Sequence, residues 1–154
     1  MPFNDLEALR AAVGPRTAAV LLEPVQGEGG VVPADPGFIA GVRRLCDERG
    51  ILLLFDEVQC GMGRTGHFFA YQRYGVEPDA MSLAKALANG MSLGAFEVRA
   101  GLEDVLPPGT HASTFGGNPL AMRRQFSSTA SASNVSNTAM PAAQARGLPP
   151  KVLA

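Results

Sequence analysis

Lys85 is one of only two lysines in a chain that carries eleven arginines, and the other, Lys151, lies four residues from the C-terminal end. A guanidinium stays protonated, whereas an amine can lose its proton and attack a carbonyl carbon. Lys85 is therefore a candidate nucleophile before any motif is considered. Asp56, Glu57 and Gln59 follow directly on the apolar run Ile51-Leu52-Leu53-Leu54-Phe55, and Asp56 stands 29 residues ahead of Lys85. Open α/β sheets place their ligands at strand ends and in the loops beyond them, so these polar residues occupy a position suited to ligand contact.

The same stretch contains a formal G-x-G-x-x-G at Gly61, Gly63 and Gly66. That pattern makes a dinucleotide-binding domain the rival reading. Two features oppose it. Asp56 and Glu57 would set two carboxylates beside a pyrophosphate, and the next acid, Glu77, comes 11 residues after Gly66, where roughly 20 are expected. His67 and His111 have no second ligand at useful spacing and are read as solvent or structural histidines; no metal is expected.

The elements that must position these residues alternate in type. Leu6, Leu9 and Val13 give a short helical spacing closed by Gly14-Pro15. Thr17 to Leu22 is a continuous apolar run, which predicts a strand buried on both faces. Glu23 to Gly30 is a loop by its glycine and proline content. Asp35 is placed to cap a helix with Pro36 in its first turn, and Phe38, Ile39, Val42, Leu45 and Cys46 fall on one face before Gly50. Ile51 to Phe55 repeats the buried-strand pattern, so strand, helix and strand form a right-handed crossover in a mainly parallel sheet. Residues 67–74 are predicted as a short helix ended by Gly75, and Asp79 to Leu83 as a third strand leading to Lys85. The fold class is α/β.

Composition narrows the class further. The 154 residues fit one domain, and net charge is −1 with 46% hydrophobic residues, so neither a nucleic-acid footprint nor a membrane partner is expected. No apolar run approaches the roughly 20 residues of a membrane span, and Met1-Pro2-Phe3-Asn4-Asp5 lacks a secretory pattern. The expected compartment is the cytoplasm, with Cys46 and Cys60 as reduced thiols.

Four segments in order resemble the class III aminotransferases of the fold-type I pyridoxal-phosphate enzymes, most closely the acetylornithine aminotransferase group. They are Leu22-Glu23-Pro24-Val25-Gln26-Gly27-Glu28-Gly29-Gly30, Phe55 to Gly66, Leu83-Ala84-Lys85-Ala86-Leu87, and Thr110 to Leu120 with its Ser113-Thr114-Phe115-Gly116-Gly117 core. The resemblance implies pyridoxal 5'-phosphate as cofactor, held covalently by Lys85, which also moves the proton during transfer. It implies that Asp56 pairs with the ring nitrogen, Val58 packs on one ring face and Gln59 bonds the ring hydroxyl oxygen. Thr114 would reach the phosphate of a neighbouring subunit's cofactor, which implies a homodimer. Glu28 would pair with a substrate-binding arginine that has no counterpart here; Glu23 is as readily structural as ligand-contacting. The implied reaction moves an amino group from an ω-amino donor such as N-acetylornithine to 2-oxoglutarate.

The similarity covers residues 3 to about 122, which defines a partial cofactor-binding large domain at 1–122 and a tail at 123–154. The tail, rich in serine, alanine and asparagine without period, is expected to be disordered or loosely attached. Family members are longer on both sides, so a fragment that binds cofactor weakly, or pairs with a full-length subunit without catalysis, is the alternative outcome. A reading-frame change or truncation is the expected cause of the break after Ala121. Translation of the adjacent frames of the coding DNA is then expected to restore a helix rich in alanine, valine and leucine, and failure of both frames removes that explanation.

Overall fold

The structure is a computed structural model that describes residues 1–88, 90–105, 119 and 151–153. Two α-helices are present among them, α1 (Leu6–Ala12) and α2 (Pro36–Arg49). The Asp5 side chain accepts the Ala8 N–H at 2.8 Å and so caps α1. In α2 the expected cap is only half realised. Asp35 sits at the N-cap position, yet its side chain makes no capping bond; its own N–H goes to Asn4 Oδ1 at 2.9 Å. Gly50 closes the helix in the left-handed region at φ 63°, a conformation that costs glycine little.

The main sheet has the order β1 (Ala19–Leu22), β4 (Leu52–Asp56), β5 (Ala80–Leu83), β6 (Ala95–Val98) and β7 (Lys151–Leu153). A separate antiparallel ribbon joins β2 (Val25–Gln26) to β3 (Val32–Pro33). β1, β4 and β5 are parallel, with Leu22 opposite Phe55 and Asp56 opposite Ser82. That register aligns the carboxyl ends of three strands, so the chain leaves all three on the same side of the sheet. β6 runs antiparallel to β5 and β7 antiparallel to β6, which leaves one strand of five against the common direction.

Several expectations are corrected by pairing that no local pattern announces. The loop at 23–30 contains β2, and its ribbon partner β3 follows at once. Residues 67–74 yield only a 3₁₀ turn at Ala70–Arg73, because the Gly66 backbone at φ 86° enters from the left-handed region. Lys151–Leu153, within the segment expected to be unstructured, pair with β6; an open strand edge offers them backbone hydrogen bonds. The rest of 123–154 lies outside the described residues.

The core forms where α2 covers the sheet. Ile39, Val42, Leu45 and Cys46 from α2 and Leu53 and Phe55 from β4 are fully buried, each large side chain contributing ~1.5–3 kcal/mol relative to exposure. β1 is an edge of the sheet, and Leu21 on it is 65% exposed.

Asp79 ties the amino ends of these elements together. Its Oδ2 accepts the Leu53 N–H at 2.7 Å and Arg43 Nη1 at 3.0 Å, and its Oδ1 accepts Arg99 Nε at 2.6 Å. Burial pushes this carboxyl up, but the Leu53 N–H and the two guanidiniums outweigh it and hold the group below the usual carboxylate range. Because the folded-state value is depressed, the stabilisation is present above the ordinary value and is lost as pH falls through the depressed one. Asp79→Asn is expected to destabilise the fold by ~2–3 kcal/mol at neutral pH. In urea titrations the gap from the parent should narrow below about pH 4.

Candidate functional site

Loops from the aligned ends of β1, β4 and β5 carry most of the polar residues singled out by sequence. Asp56 is the last residue of β4, and its Oδ1 accepts the Val58 N–H at 2.9 Å. This local bond fixes the carboxylate over the turn that follows. Val58 and Gln59, both half-buried, occupy that turn. Lys85 opens the 3₁₀ turn Lys85–Ala88 two residues after β5.

Lys85 has φ 43°, one of three described non-glycine residues with positive φ. A lysine in the left-handed region costs on the order of 1 kcal/mol or more, a strain characteristic of functional positions. Its side chain remains 53% exposed, so the amine is reachable by a small molecule.

The loop after β1 completes the cluster. Glu28 Oε1 accepts Gln59 Nε2 at 2.7 Å and lies 3.7 Å from Lys85 Nζ. Such an exposed ion pair adds little to stability, and its value is geometric: it brings residues from three loops to one oxygen. Gly27 makes the approach possible, since a Cβ there would stand 2.5 Å from Gln59 Cδ and Oε1. The Gly27 N–H is in turn held by Glu23 Oε2 at 2.9 Å, which gives Glu23 a structural role in this loop.

An open cleft of about 370 Å³ borders Asp56 but is not lined by Glu28, Gln59 or Lys85. Val20 and Phe38 line its apolar part, and Glu23, Gln26 and Asp56 its polar part.

The structure thus gathers Glu28, Gln59 and Lys85, with Asp56 and Val58 in the same strand-end turn. Thr114 and His111 lie outside the described residues. Sequence reasoning set Glu57 with Asp56 and Gln59 at a position suited to ligand contact; the structure turns it into the core instead, because adjacent strand residues face opposite sides. Glu57 is 1% exposed and accepts the Ala70 and Tyr71 N–H groups at 2.7 and 2.8 Å.

Gly61, Gly63 and Gly66 are followed by bends and the 3₁₀ turn rather than an α-helix, and Glu57 already occupies the first N–H groups of that turn. The anion-binding helix start that a dinucleotide requires is absent from this loop. Burial pushes the thiols of Cys46 and Cys60 up to about 11 each, so both stay protonated and weakly nucleophilic at neutral pH. Among the described residues no group of three or more His, Cys, Asp or Glu could hold a metal ion, and no helix is long and apolar enough to cross a membrane.

Comparison with known proteins places this arrangement in a family. The chain is 57% identical over 122 residues to acetylornithine aminotransferase 1 of Bradyrhizobium diazoefficiens and 60% identical over 121 residues to the acetylornithine aminotransferase of Myxococcus xanthus, covering 79% of this chain in each case. It spans about 30% of the length of these relatives. Among solved structures, the ornithine aminotransferase of Toxoplasma gondii superposes with a TM-score of 0.74 at 44% identity, over 80% of this chain and 30% of that one. A second structure of that enzyme has PLP at partial occupancy in its active site. The family model for aminotransferase class III matches residues 2–133, well over half of the sequence, and the chain belongs to the class-III aminotransferases.

Proposed function

We propose that this chain carries the cofactor-holding half of a pyridoxal-phosphate-dependent transamination site. The observation that carries the reading is the meeting of Lys85, Gln59 and Glu28 at one oxygen, from loops leaving three aligned strand ends, with Asp56 at the root of one of them. The donor set fits the cofactor: a reachable amine for its carbonyl carbon, a carboxylate for its ring nitrogen and an amide for its ring oxygen. Thr114 is proposed to serve the phosphate of a neighbouring subunit's cofactor, which makes the complete enzyme a homodimer.

When bound, pyridoxal 5'-phosphate supplies an electron sink for the carbon from which the proton is removed. Asp56, its carboxylate fixed by the Val58 N–H, keeps the ring nitrogen protonated; each pK unit gained there is worth ~1.4 kcal/mol. The Gln59 amide would bond the ring oxygen, and Val58 would pack against the ring. Lys85 Nζ would hold the cofactor covalently and serve as the proton carrier of the reaction. Glu28 pairs with a substrate-binding arginine from outside this chain. The donor is an ω-amino compound such as N-acetylornithine and the acceptor 2-oxoglutarate, with no nucleic-acid or membrane partner and a cytoplasmic location. The partial large domain is proposed to span residues 1–122, with Lys151–Leu153 adding an edge strand to its sheet.

The second reading is a non-catalytic fragment that binds cofactor weakly or pairs with a full-length subunit.

A spectrum and an activity assay separate the two readings. The parent chain with added pyridoxal phosphate is expected to develop an absorbance band that borohydride traps on Lys85, while Lys85→Ala shows none; absence of a Lys85-dependent band in the parent would overturn the first reading, and amino transfer by the parent would overturn the second. Gly27→Ala tests the geometry separately. Its Cβ displaces only the end of a flexible side chain, so the melting temperature should hold while half-saturation by cofactor rises roughly tenfold, the equivalent of one hydrogen bond.

A further inference from the structure

We propose that Glu57 is a positioning residue of the site, clamping the turn that carries Val58 and Gln59 to the 3₁₀ turn at Ala70–Arg73. The proposal rests on the transamination reading for its purpose but on separate contacts for its geometry. Leu53, Phe55 and Glu57 alternate along one face, all buried, so Glu57 extends the core-facing row of β4 past its last paired residue. Asp56, between them, faces the other way. A carboxylate in an apolar row is costly unless its oxygens are bonded. Here Oε2 takes the Ala70 N–H and Oε1 the Tyr71 N–H, the first donors of a turn that has no other partners for them.

The main chain of the same residue holds two further elements. Its N–H donates to the Ser82 carbonyl at 3.0 Å, which locks the end of β4 to β5 near Lys85, and its carbonyl accepts the Gly61 N–H at 2.9 Å, which closes the turn over Val58, Gln59 and Cys60. Gly61 packs so closely that an added Cβ would stand 2.8 Å from the Glu57 carbonyl oxygen and 3.0 Å from Oε2. The anchoring turn also grips the opposing loop, because Tyr74 Oη donates to the Pro24 carbonyl at 3.1 Å. Glu57 thereby fixes Gln59, and the 70–74 segment fixes the loop from which Glu28 meets it. The other carboxylate bearing on Glu57 is Glu97 of β6.

The test is hydrogen–deuterium exchange on the full chain, comparing the parent with Glu57→Gln. The amide side chain keeps the size but turns an N–H donor toward one of the two backbone donors. Exchange at Val58 to Gly61 should quicken roughly tenfold or more, as expected for loss of a charge-assisted bond, while α2 amides stay within about threefold. Half-saturation by pyridoxal phosphate should rise by a similar factor, with the band at saturation still on Lys85. Unchanged exchange at 58–61, or equal acceleration in α2, would overturn the proposal, the latter by showing a purely global role. If Glu57→Gln fails to fold, Gly61→Ala, which presses on the same turn without altering a charge, is read by the same criteria. A parent chain that binds no cofactor defeats the transamination reading, and the exchange pattern still decides whether Glu57 fixes the turn.

Discussion

The parallel pairing of β1, β4 and β5 in one register is the constraint on which the molecule depends. Parallel strands exchange slanted, evenly spaced hydrogen bonds and need a crossover between them, which here brings α2 over the sheet. Once Leu22 lies beside Phe55 and Asp56 beside Ser82, Glu23, Glu57 and Ala84 all begin loops at the same rim. Glu28, Gln59 and Lys85 can then meet although 57 residues separate the first from the last. A slip of one residue in β4 would exchange the faces of Asp56 and Glu57, putting the site acid in the core and the core acid in the site.

Two buried carboxylates hold the opposite ends of this sheet, and their surroundings differ in kind. Asp79, just before β5, has a backbone N–H and two guanidiniums, enough to overcome its burial. Glu57, just after β4, is held by two backbone N–H groups, and burial leaves it raised above the usual carboxylate range. The amino end is thus an ion-pair hub of α2, β4 and β6. The carboxyl end instead relies on neutral donors.

Backbone conformation completes the site at two positions. Lys85 takes a left-handed conformation in which a β-carbon is normally crowded, and the pairing of β5 on both sides rigidly determines where that residue emerges. Gly27 is not in the left-handed region but has no room for a side chain against Gln59. One residue is strained by geometry and the other required by space, and both lie within the same cluster.

Sequence alone determined the parts whose cause is local. The scarcity of lysine marked Lys85, continuous apolar runs marked β1 and β4, and the spacing of Phe38, Ile39, Val42 and Leu45 marked the buried face of α2, all of which the structure contains. Four ordered segments were enough for the family, because each carries residue types with few substitutes. Tertiary structure decided what depends on partners distant in sequence. β6 lacks an alternating pattern and exists because the edge of β5 accepts it; β2 and β3 exist because they pair with each other. The helix expected at 67–74 shrank to one turn, since Gly66 sets its entry and Glu57 takes its first donors. The burial of Glu57 and the choice of Glu28 as the partner of Gln59 were likewise settled only when strands adjacent in space, and not in sequence, had fixed their register.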